Sequence, residues 1–488
     1  MTRRCSVPRP RRSARLPTVR VSGLRPATLF KSVRAYLPLA AALALFGFIA
    51  SLLVLRDLDL SVYWHAAQRV FVDGVEPYTR PNATGLPFTY PPTAFLLLWP
   101  LAGHGLAQAG AWLWTLNLVL APVLMVLLPW DLARTVNAPA ATVAGRRLRV
   151  WGPLYIACFG GLYLTLHFQQ INLLLLLCLW GFWRVLRRAG PAPPTGSPRA
   201  VLSRLGAGAA LALGSVAKPH YGLLGLGALG CLRRGRRPGP GLWLLLGAAL
   251  GGAALLWLSL ALAPAGSWTA WMQQILGTTG FTALPPGHSS IAAPWNRSIA
   301  GEVARWLVPN KFSQVVAASP TAAAWISAAL VMALALATGW AVLRSLRLRA
   351  RRCAEGDGSA GPVAVDLELS VLSVWVFLAA PASWTHHLVM LLPAALVLLR
   401  DAVLDPRARN ATRLAAVLVL AVLALTLDDL IPREVRTSSQ AIMALMTVAV
   451  VGLWALLLER LLAEQRASRA AARQVPARAD AGARRPRR

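Results

Sequence analysis

The stretch RDLDLSVYWHAAQRVFVDGVEPYTRPNATGLPFTYPP, residues 56–92, leaves the first long apolar run of the chain, residues 36–55. It places four carboxylates, Asp57, Asp59, Asp73 and Glu76, just beyond that run, in a chain with only 18 acidic residues. An apolar run of about 20 residues is long enough to cross a bilayer. The acid-rich segment therefore emerges at a membrane surface, where carboxylates this concentrated imply a task.

Outward from that stretch, the 488 residues are 56% hydrophobic and 14% charged, with a mean hydropathy of +0.54. Comparable apolar runs recur along the whole length, which predicts an all-α, polytopic transmembrane helix bundle. The formal charge of +32 does not mark a nucleic-acid protein. Its arginines sit in short clusters between apolar runs and at both ends of the chain, the pattern of loops kept on the cytoplasmic side. Cys158, Cys178 and Cys231 fall in or at the ends of apolar runs, Cys5 and Cys353 in basic segments. That spacing implies neither a metal site nor a disulfide framework.

The first 34 residues carry ten basic side chains and no acid, so the N-terminus is expected in the cytoplasm with 36–55 crossing outward. A secretory signal peptide is the competing reading, but the run is long and no small-residue cleavage site clearly follows it. Basic clusters at 146–149, 184–188, 233–237, 344–352, 400–413 and beyond Glu459 also belong inside. Threading the chain to satisfy them predicts further spans near 108–129, 151–166, 171–186, 201–217, 219–232, 240–263, 321–344, 365–381, 387–400, 412–430 and 438–460, about 12 with the first. Residues 93–101 are too short for a crossing and read as a re-entrant or surface-lying piece. The organisation is thus a basic cytoplasmic tail (1–34), an integral domain (35–461) and a second basic cytoplasmic tail (462–488), both tails without ordered structure and resting on anionic lipid. The outer face receives 56–105, 167–170, 264–318, 381–387 and 431–439, with 218–221 at a proline-marked break.

Gly225, Gly227 and Gly230 spell G-x-G-x-x-G, but no strand precedes them; small residues here serve close helix packing in lipid. The chain contains no Walker A motif, H-E-x-x-H or nucleophile elbow. ATP-driven transport and metalloprotease chemistry lose their simplest support.

Four features carry candidate chemistry. Asp57 and Asp59 form D-L-D, which suits a hard divalent cation or, more plainly, solvated acids, with Asp59 capping a helix over 60–72. His386 and His387 sit in PASWTHH at the end of an apolar run; either they and Trp384 anchor the interface, or the imidazoles bind a phosphate or orient a carboxylate. Lys218 is one of three lysines against 47 arginines and lies between apolar runs, where a charge is costly. It either snorkels to the interface or faces an anionic headgroup. The loop 264–318, with Trp268, Trp271, Trp295 and Trp306 and the polar run Asn296, Arg297, Ser298, reads as a binding loop or lid, or as an amphipathic segment on the membrane.

Taken in order, D-L-x-V-Y at Asp59 to Tyr63, L-P-F-T-Y-P-P at Leu86 to Pro92, Q-I-N at Gln170 to Asn172, the lysine-proline break at Lys218, Asn-x-Ser-x-x-Gly at Asn296 to Gly301 and S-W-T-H-H at Ser383 to His387 resemble the actinobacterial polyprenol-phosphate-mannose-dependent mannosyltransferases. These are integral glycosyltransferases of the GT-C class, family 87. The resemblance spans residues 56–399. Two positions depart from it: Gln169 replaces the family's glycine, and Arg297 replaces a glutamine, adding a charge in the acceptor or lid region.

The resemblance implies transfer of a mannosyl residue from a polyprenyl phosphate to a glycolipid or lipoglycan hydroxyl at the outer face of the cell membrane. It implies catalytic roles for Asp59, His386 and His387. Substrate binding would fall to Lys218, Tyr63, Tyr90, Gln170, Asn172, Asn296, Arg297, Ser298 and Trp384. Asp59 would act as base, the histidines would orient it or touch the phosphate, and Lys218 would offset the phosphate charge. A lipid phosphate leaving group with a lysine and two histidines nearby is served without a metal, so no cofactor is expected, the Asp57/Asp59 pair being the one cation candidate. Two other readings remain. One is a GT-C enzyme using another polyprenyl-phosphate sugar. The other is a lipid flippase or transporter, against which stands the lack of a convincing internal repeat.

Overall fold

The computed structural model describes residues 26–79, 84–134, 139–188, 197–234, 237–276, 281–354, 361–425 and 439–483. From the N-terminus come α1 (Pro26–Ser51), α2 (Leu58–Phe71), the single turn α3 (Phe95–Leu98), α4 (Leu106–Ala133), α5 (Pro139–Ala157), α6 (Gly160–His167), α7 (Asn172–Arg187) and α8 (Pro198–Ser215). A 3-10 segment, Pro219–Cys231, and a two-residue antiparallel hairpin, Arg233–Arg234 with Arg237–Pro238, lead to α9 (Pro240–Leu262). There follow α10 (Ser267–Leu276), α11 (Ile299–Leu307), α12 (Pro320–Ala354) and α13 (Pro362–Ala379). A 3-10 turn, Thr385–Leu391, runs into α14 (Leu392–Leu398), then α15 (Asn410–Leu425) and α16 (Gln440–Ala483). The predominantly helical architecture agrees with the sequence.

Among the described residues six helical stretches are long and apolar enough to cross a membrane: Leu106–Ala133, Pro240–Leu262, Pro320–Cys353, Pro362–Ala379, Thr385–Val403 and Gln440–Ala470. Six of the twelve expected runs correspond to these; the described parts of the other six are shorter, interrupted or less apolar. The apolar part of α1 is Tyr36–Ser51. The run at 151–166 breaks between α5 and α6, α7 at 16 residues is about 24 Å long, and α8 carries Arg199 and Arg204. The run at 219–232 is a 3-10 segment, and of the run at 412–430 the described residues reach Leu425, within α15. Residues Pro92–Leu101 form three short turns, too short to cross, as expected. The helix α16 continues to Ala483, where the sequence implies an unstructured tail. The expected outer piece 431–439 lies outside the described residues except for Ser439, as does the first part of the N-terminal tail.

The bundle packs around α13, α14 and the turn that joins them, which are its most buried elements; α9 and α12 lie at the edge and expose Trp257 and Trp325. Glycine permits the closest crossing. A Cβ on Gly208 of α8 would lie 2.0 Å from the Leu244 carbonyl oxygen, and one on Gly247 of α9 would lie 2.2 Å from that of Leu205.

Buried ion pairs fasten one end of this bundle. Asp366 on α13 takes Arg187 Nε at 2.5 Å, Arg400 Nη1 at 2.7 Å and Trp183 Nε1 at 3.0 Å. Glu368 takes Arg349 through Nε at 2.9 Å and Nη2 at 2.6 Å. Asp131 on α4 takes Arg184 and Arg188, each at 2.9 Å. These arginines come from the clusters that the sequence assigns to the cytoplasmic side. From Asp366 to Phe377 along α13 is about 16 Å, and Phe377 lines a cavity at the other end.

Candidate active site

That cavity, about 790 Å³, is walled by the α2 N-terminus, the segment 86–91, the α6–α7 turn, the break before Pro219, α10, the loop 284–295 and the stretch 380–387. Its polar side chains come from segments remote in sequence.

Asp59 enters on the first turn of α2, a favourable place for a carboxylate because the helix N-terminus carries partial positive charge. The helix is Leu58–Phe71, so the capping position belongs to Asp57, not Asp59, and Asp57 makes no side-chain cap bond. The two acids take different partners. Gln170 Nε2 donates to Asp59 Oδ2 at 2.5 Å, while Gln169 Nε2 reaches Asp57 Oδ1 at 3.4 Å. Asp57 is exposed and does not line the cavity. Gln169 holds a φ of +52°, the left-handed region that disfavours side chains other than glycine's. The turn is closed by Gln170 N–H to the Thr165 carbonyl at 2.9 Å, and Asn117 Nδ2 donates to the Gln170 carbonyl at 2.9 Å.

Tyr63, one turn after Asp59, donates to Gln170 Oε1 at 2.5 Å and stands 3.1 Å from the Tyr90 hydroxyl. Tyr90 belongs to an aromatic cluster with Tyr78, Phe88 and Phe95. Tyr78 Oη donates to the Tyr90 carbonyl at 2.8 Å, and Trp271 Nε1 of α10 donates to the Thr89 carbonyl at 3.1 Å. The proline-rich 86–92 segment is thus pinned from two sides.

Lys218 is buried at the break between α8 and the 3-10 segment, and its Nζ donates to Asn172 Oδ1 at 2.9 Å. Asn172 Nδ2 points to the His386 carbonyl at 3.5 Å, an oxygen that also accepts from Thr165 Oγ1 at 2.9 Å. The His386 ring lies against Phe168 and, edge-on, against His387. His387 Nε2 is buried without a hydrogen-bond partner among the described residues.

Burial holds the Asp59 carboxyl up at about 6, against the lowering influence of the Gln170 hydrogen bond and of Lys218. Burial pushes Lys218 down to about 7, with Asp59 acting the other way. A carboxyl and an amine are thereby both brought towards neutrality in one cavity.

Eight of the expected site residues line the cavity: Asp59, Tyr63, Tyr90 and Gln170 on one side, Lys218, Trp384, His386 and His387 on the other. Asn172 stands behind Lys218. Asn296, Arg297 and Ser298 do not line it. Asn296 donates to the Ile291 and Pro381 carbonyls and accepts from the Ser298 and Ser383 amides, and Ser298 caps α11 through the Gly301 amide at 2.9 Å. A Cβ on Gly301 would lie 2.7 Å from the Asn296 amide, so N-x-S-x-x-G is a folding motif. Arg297 is buried, donating from Nη1 to the Met443 carbonyl of α16 at 2.7 Å, so its charge does not face a substrate space as the sequence suggested. The loop nevertheless sets the histidines: Arg297 N–H bonds the Ser383 carbonyl at 2.7 Å and Thr385 N–H the Trp295 carbonyl at 2.9 Å.

The cavity also contains residues not singled out from sequence. Arg56 and His167 stand at the α2 and α6 ends, tied by Arg56 N–H to the His167 carbonyl at 2.9 Å. His288 stacks on Trp384 with ring centres 5.3 Å apart and planes 12° off parallel, and burial lowers its pKa. Lone loop histidines leave no sequence signal. The ion pairs at the far end did leave one, two acids inside an apolar run at 366 and 368. Among the described residues no three His, Cys, Asp or Glu side chains converge as metal ligands.

The fold and cavity define a helical membrane protein with a carboxylate, a lysine amine and paired imidazoles lining one cavity. The sequence model of glycosyltransferase family 87 matches residues 88–357, more than half of the chain, and the protein belongs to that family. Asp59, Tyr63, Trp384 and the histidine pair lie outside the matched range. A curated relative, the polyprenol-phosphate-mannose-dependent alpha-(1-2)-phosphatidylinositol mannoside mannosyltransferase of Mycobacterium tuberculosis, is 28% identical over 403 residues, covering 78% of this chain and 79% of its own. No solved structure matches the chain.

Proposed function

We propose that the protein is a mannosyltransferase that moves a mannosyl residue from a polyprenyl phosphate to a hydroxyl of a glycolipid or lipoglycan, at the outer face of the cell membrane with both termini in the cytoplasm. Family membership and the relative's donor support the reaction class. The observation that carries the reading is Asp59 and Lys218 facing one cavity, with the carboxyl raised and the amine lowered towards neutrality.

In the reaction, the acceptor oxygen attacks the anomeric carbon as Asp59 takes its proton. The bond from that carbon to the phosphate oxygen breaks, and the electron pair leaves with polyprenyl phosphate. A base whose pKa lies near the operating pH suits this step and contributes roughly 10²–10⁴ in rate. Lys218, held by Asn172, offsets charge growing on the phosphate. His386 and His387 line the same space and would meet the phosphate there. A single displacement inverts the anomeric centre, so an α-linked product follows from a β-linked donor. Polyprenyl phosphate is an adequate leaving group, and the two aspartates diverge onto separate glutamines, so the reading needs no metal.

Membranes carrying the wild-type chain or Asp59→Asn, given radiolabelled polyprenyl-phosphate mannose and total polar lipid, test this. Labelled glycolipid from wild type alone, at equal protein levels, supports the assignment. Equal labelling from both removes Asp59 as base, and no labelling from either, with the donor intact, points to another donor sugar or to transport.

A further inference from the structure

Four side chains form one hydrogen-bonded line along the cavity wall: Asp59, Gln170, Tyr63 and Tyr90. A hydroxyl owns one hydrogen. Tyr63 commits its hydrogen to Gln170 Oε1, so the hydrogen between the two tyrosines comes from Tyr90. Tyr90 lines the cavity, and its hydroxyl oxygen then has only lone pairs left to offer a further partner.

Turning the Gln170 amide over reverses every bond in the line. Oε1 would then face Asp59, which requires a protonated carboxyl. Nε2 would donate to Tyr63, Tyr63 to Tyr90, and the Tyr90 O–H would be released into the cavity. With that proton on Oδ2 the reversed line is the self-consistent one; with it on Oδ1, Oδ2 still accepts from Gln170 Nε2 and the line keeps its first direction. The main chain under it is held by the Asn117 bond to the Gln170 carbonyl, the Tyr78 bond to the Tyr90 carbonyl and the Trp271 bond to the Thr89 carbonyl. Only the amide and the hydrogens need to move.

We propose that Tyr63 and Gln170 are positioning residues that hold Asp59 as a hydrogen-bond acceptor, and that the same line makes Tyr90 the reader of a sugar hydroxyl. Tyr90 accepts from that hydroxyl while Asp59 is ionised, and donates to it once Asp59 carries a proton on Oδ2, the oxygen that faces Gln170. The inference rests on the reading of Asp59 as base. The proton that Asp59 gains is the one lost by the attacking hydroxyl; within the line, hydrogens change partners and none is gained or lost. With the proton on Oδ2, substrate and product are held by opposite hydrogen bonds at one atom. The groups that face Asp59 are Gln170 from the α6–α7 turn, Lys218 from the break after α8, Tyr63 from α2 and Tyr90 from the outer segment. Asp57 is engaged by Gln169.

The test uses the full-length protein in lipid nanodiscs. Infrared titration reads the protonated-carboxyl stretch, assigned to Asp59 by its loss in Asp59→Asn. Tyr63→Phe frees the amide and weakens the hold on the ionised form, which moves the midpoint upward by about one pH unit. Gln170→Met moves it the same way and serves if Tyr63→Phe does not insert. Tyr90→Phe raises KM about tenfold for one substrate; separate measurement with donor and acceptor shows which one owns the hydroxyl. An unmoved midpoint in Tyr63→Phe and Gln170→Met, or an unchanged KM for both substrates in Tyr90→Phe, overturns the proposal. Full turnover by Asp59→Asn instead sinks the base assignment, and the infrared titration then judges the line by itself.

Discussion

Lys218 Nζ lies 2.9 Å from Asn172 Oδ1, and the other end of the same amide points at the His386 carbonyl. One side chain therefore places both the cation and the histidine segment. Asn172→Ala leaves the ammonium without its protein partner and is expected to lower kcat/KM for the donor by roughly tenfold, the worth of one hydrogen bond to a charged group. Steady-state kinetics at fixed acceptor would check it, with membrane levels matched to wild type.

The two raised and lowered groups set a pH window. Asp59 must be ionised to accept a proton, so kcat/KM rises with pH through about 6. Lys218 must be charged to meet the phosphate, so kcat/KM falls as pH rises through about 7. The expected profile of kcat/KM is a narrow bell reporting the free enzyme. Lys218→Arg should extend the alkaline side, since a guanidinium stays charged there. A flat profile from pH 5 to 8 would contradict both assignments.

Divergence of Asp57 and Asp59 onto separate glutamines predicts indifference to chelators. Transfer in wild-type membranes should proceed at an unchanged rate after treatment with EDTA. Asp57→Ala should stay within about threefold of wild type, since it loses one long, exposed contact, whereas Asp59→Ala should lose about 10² or more.

The backbone of Gln169 is strained at φ +52°. Glycine adopts that conformation freely, so Gln169→Gly is expected to stabilise the protein by ~1 kcal/mol despite the lost contact to Asp57. Gln169→Val should destabilise it. Thermal unfolding in detergent, followed by intrinsic tryptophan fluorescence, measures both.

At the far end of the bundle, Asp366→Asn leaves Arg187 and Arg400 sharing a neutral partner in a buried site. Breaking such a network costs about 3–5 kcal/mol. The expected outcome is a strong drop in folded protein, with KM unchanged in whatever survives. A KM change would tie this network to the site directly.

Much of the site was legible because its residues sit where a membrane chain has no other reason to place them. Asp59 follows an apolar run, Lys218 interrupts one, and the histidine pair ends one. Roles were less legible than positions. Arg297 looked like a charge offered to a ligand, yet its guanidinium is spent on the Met443 carbonyl, a contact 146 residues away that no local pattern encodes. Asn296 and Ser298 likewise hold main chain. Hydropathy registers apolar runs but not their breaks: Cys158 and Phe159 end α5 inside an unbroken apolar stretch, so one run read as a span holds two helices. Asp57 and Asp59 read as a pair from their spacing, and only the consecutive Gln169 and Gln170 separate them.

The loop 281–318 and the histidine stretch share two main-chain hydrogen bonds, Trp295 with Thr385 and Arg297 with Ser383, and a third from the Ser383 amide to the Asn296 side chain. The two behave as a single part machined in two places along the chain. A chimera that imports residues 281–318 from a related protein while keeping its own Pro381–His387 would misalign the imidazoles, whereas exchanging both pieces together would carry the register intact.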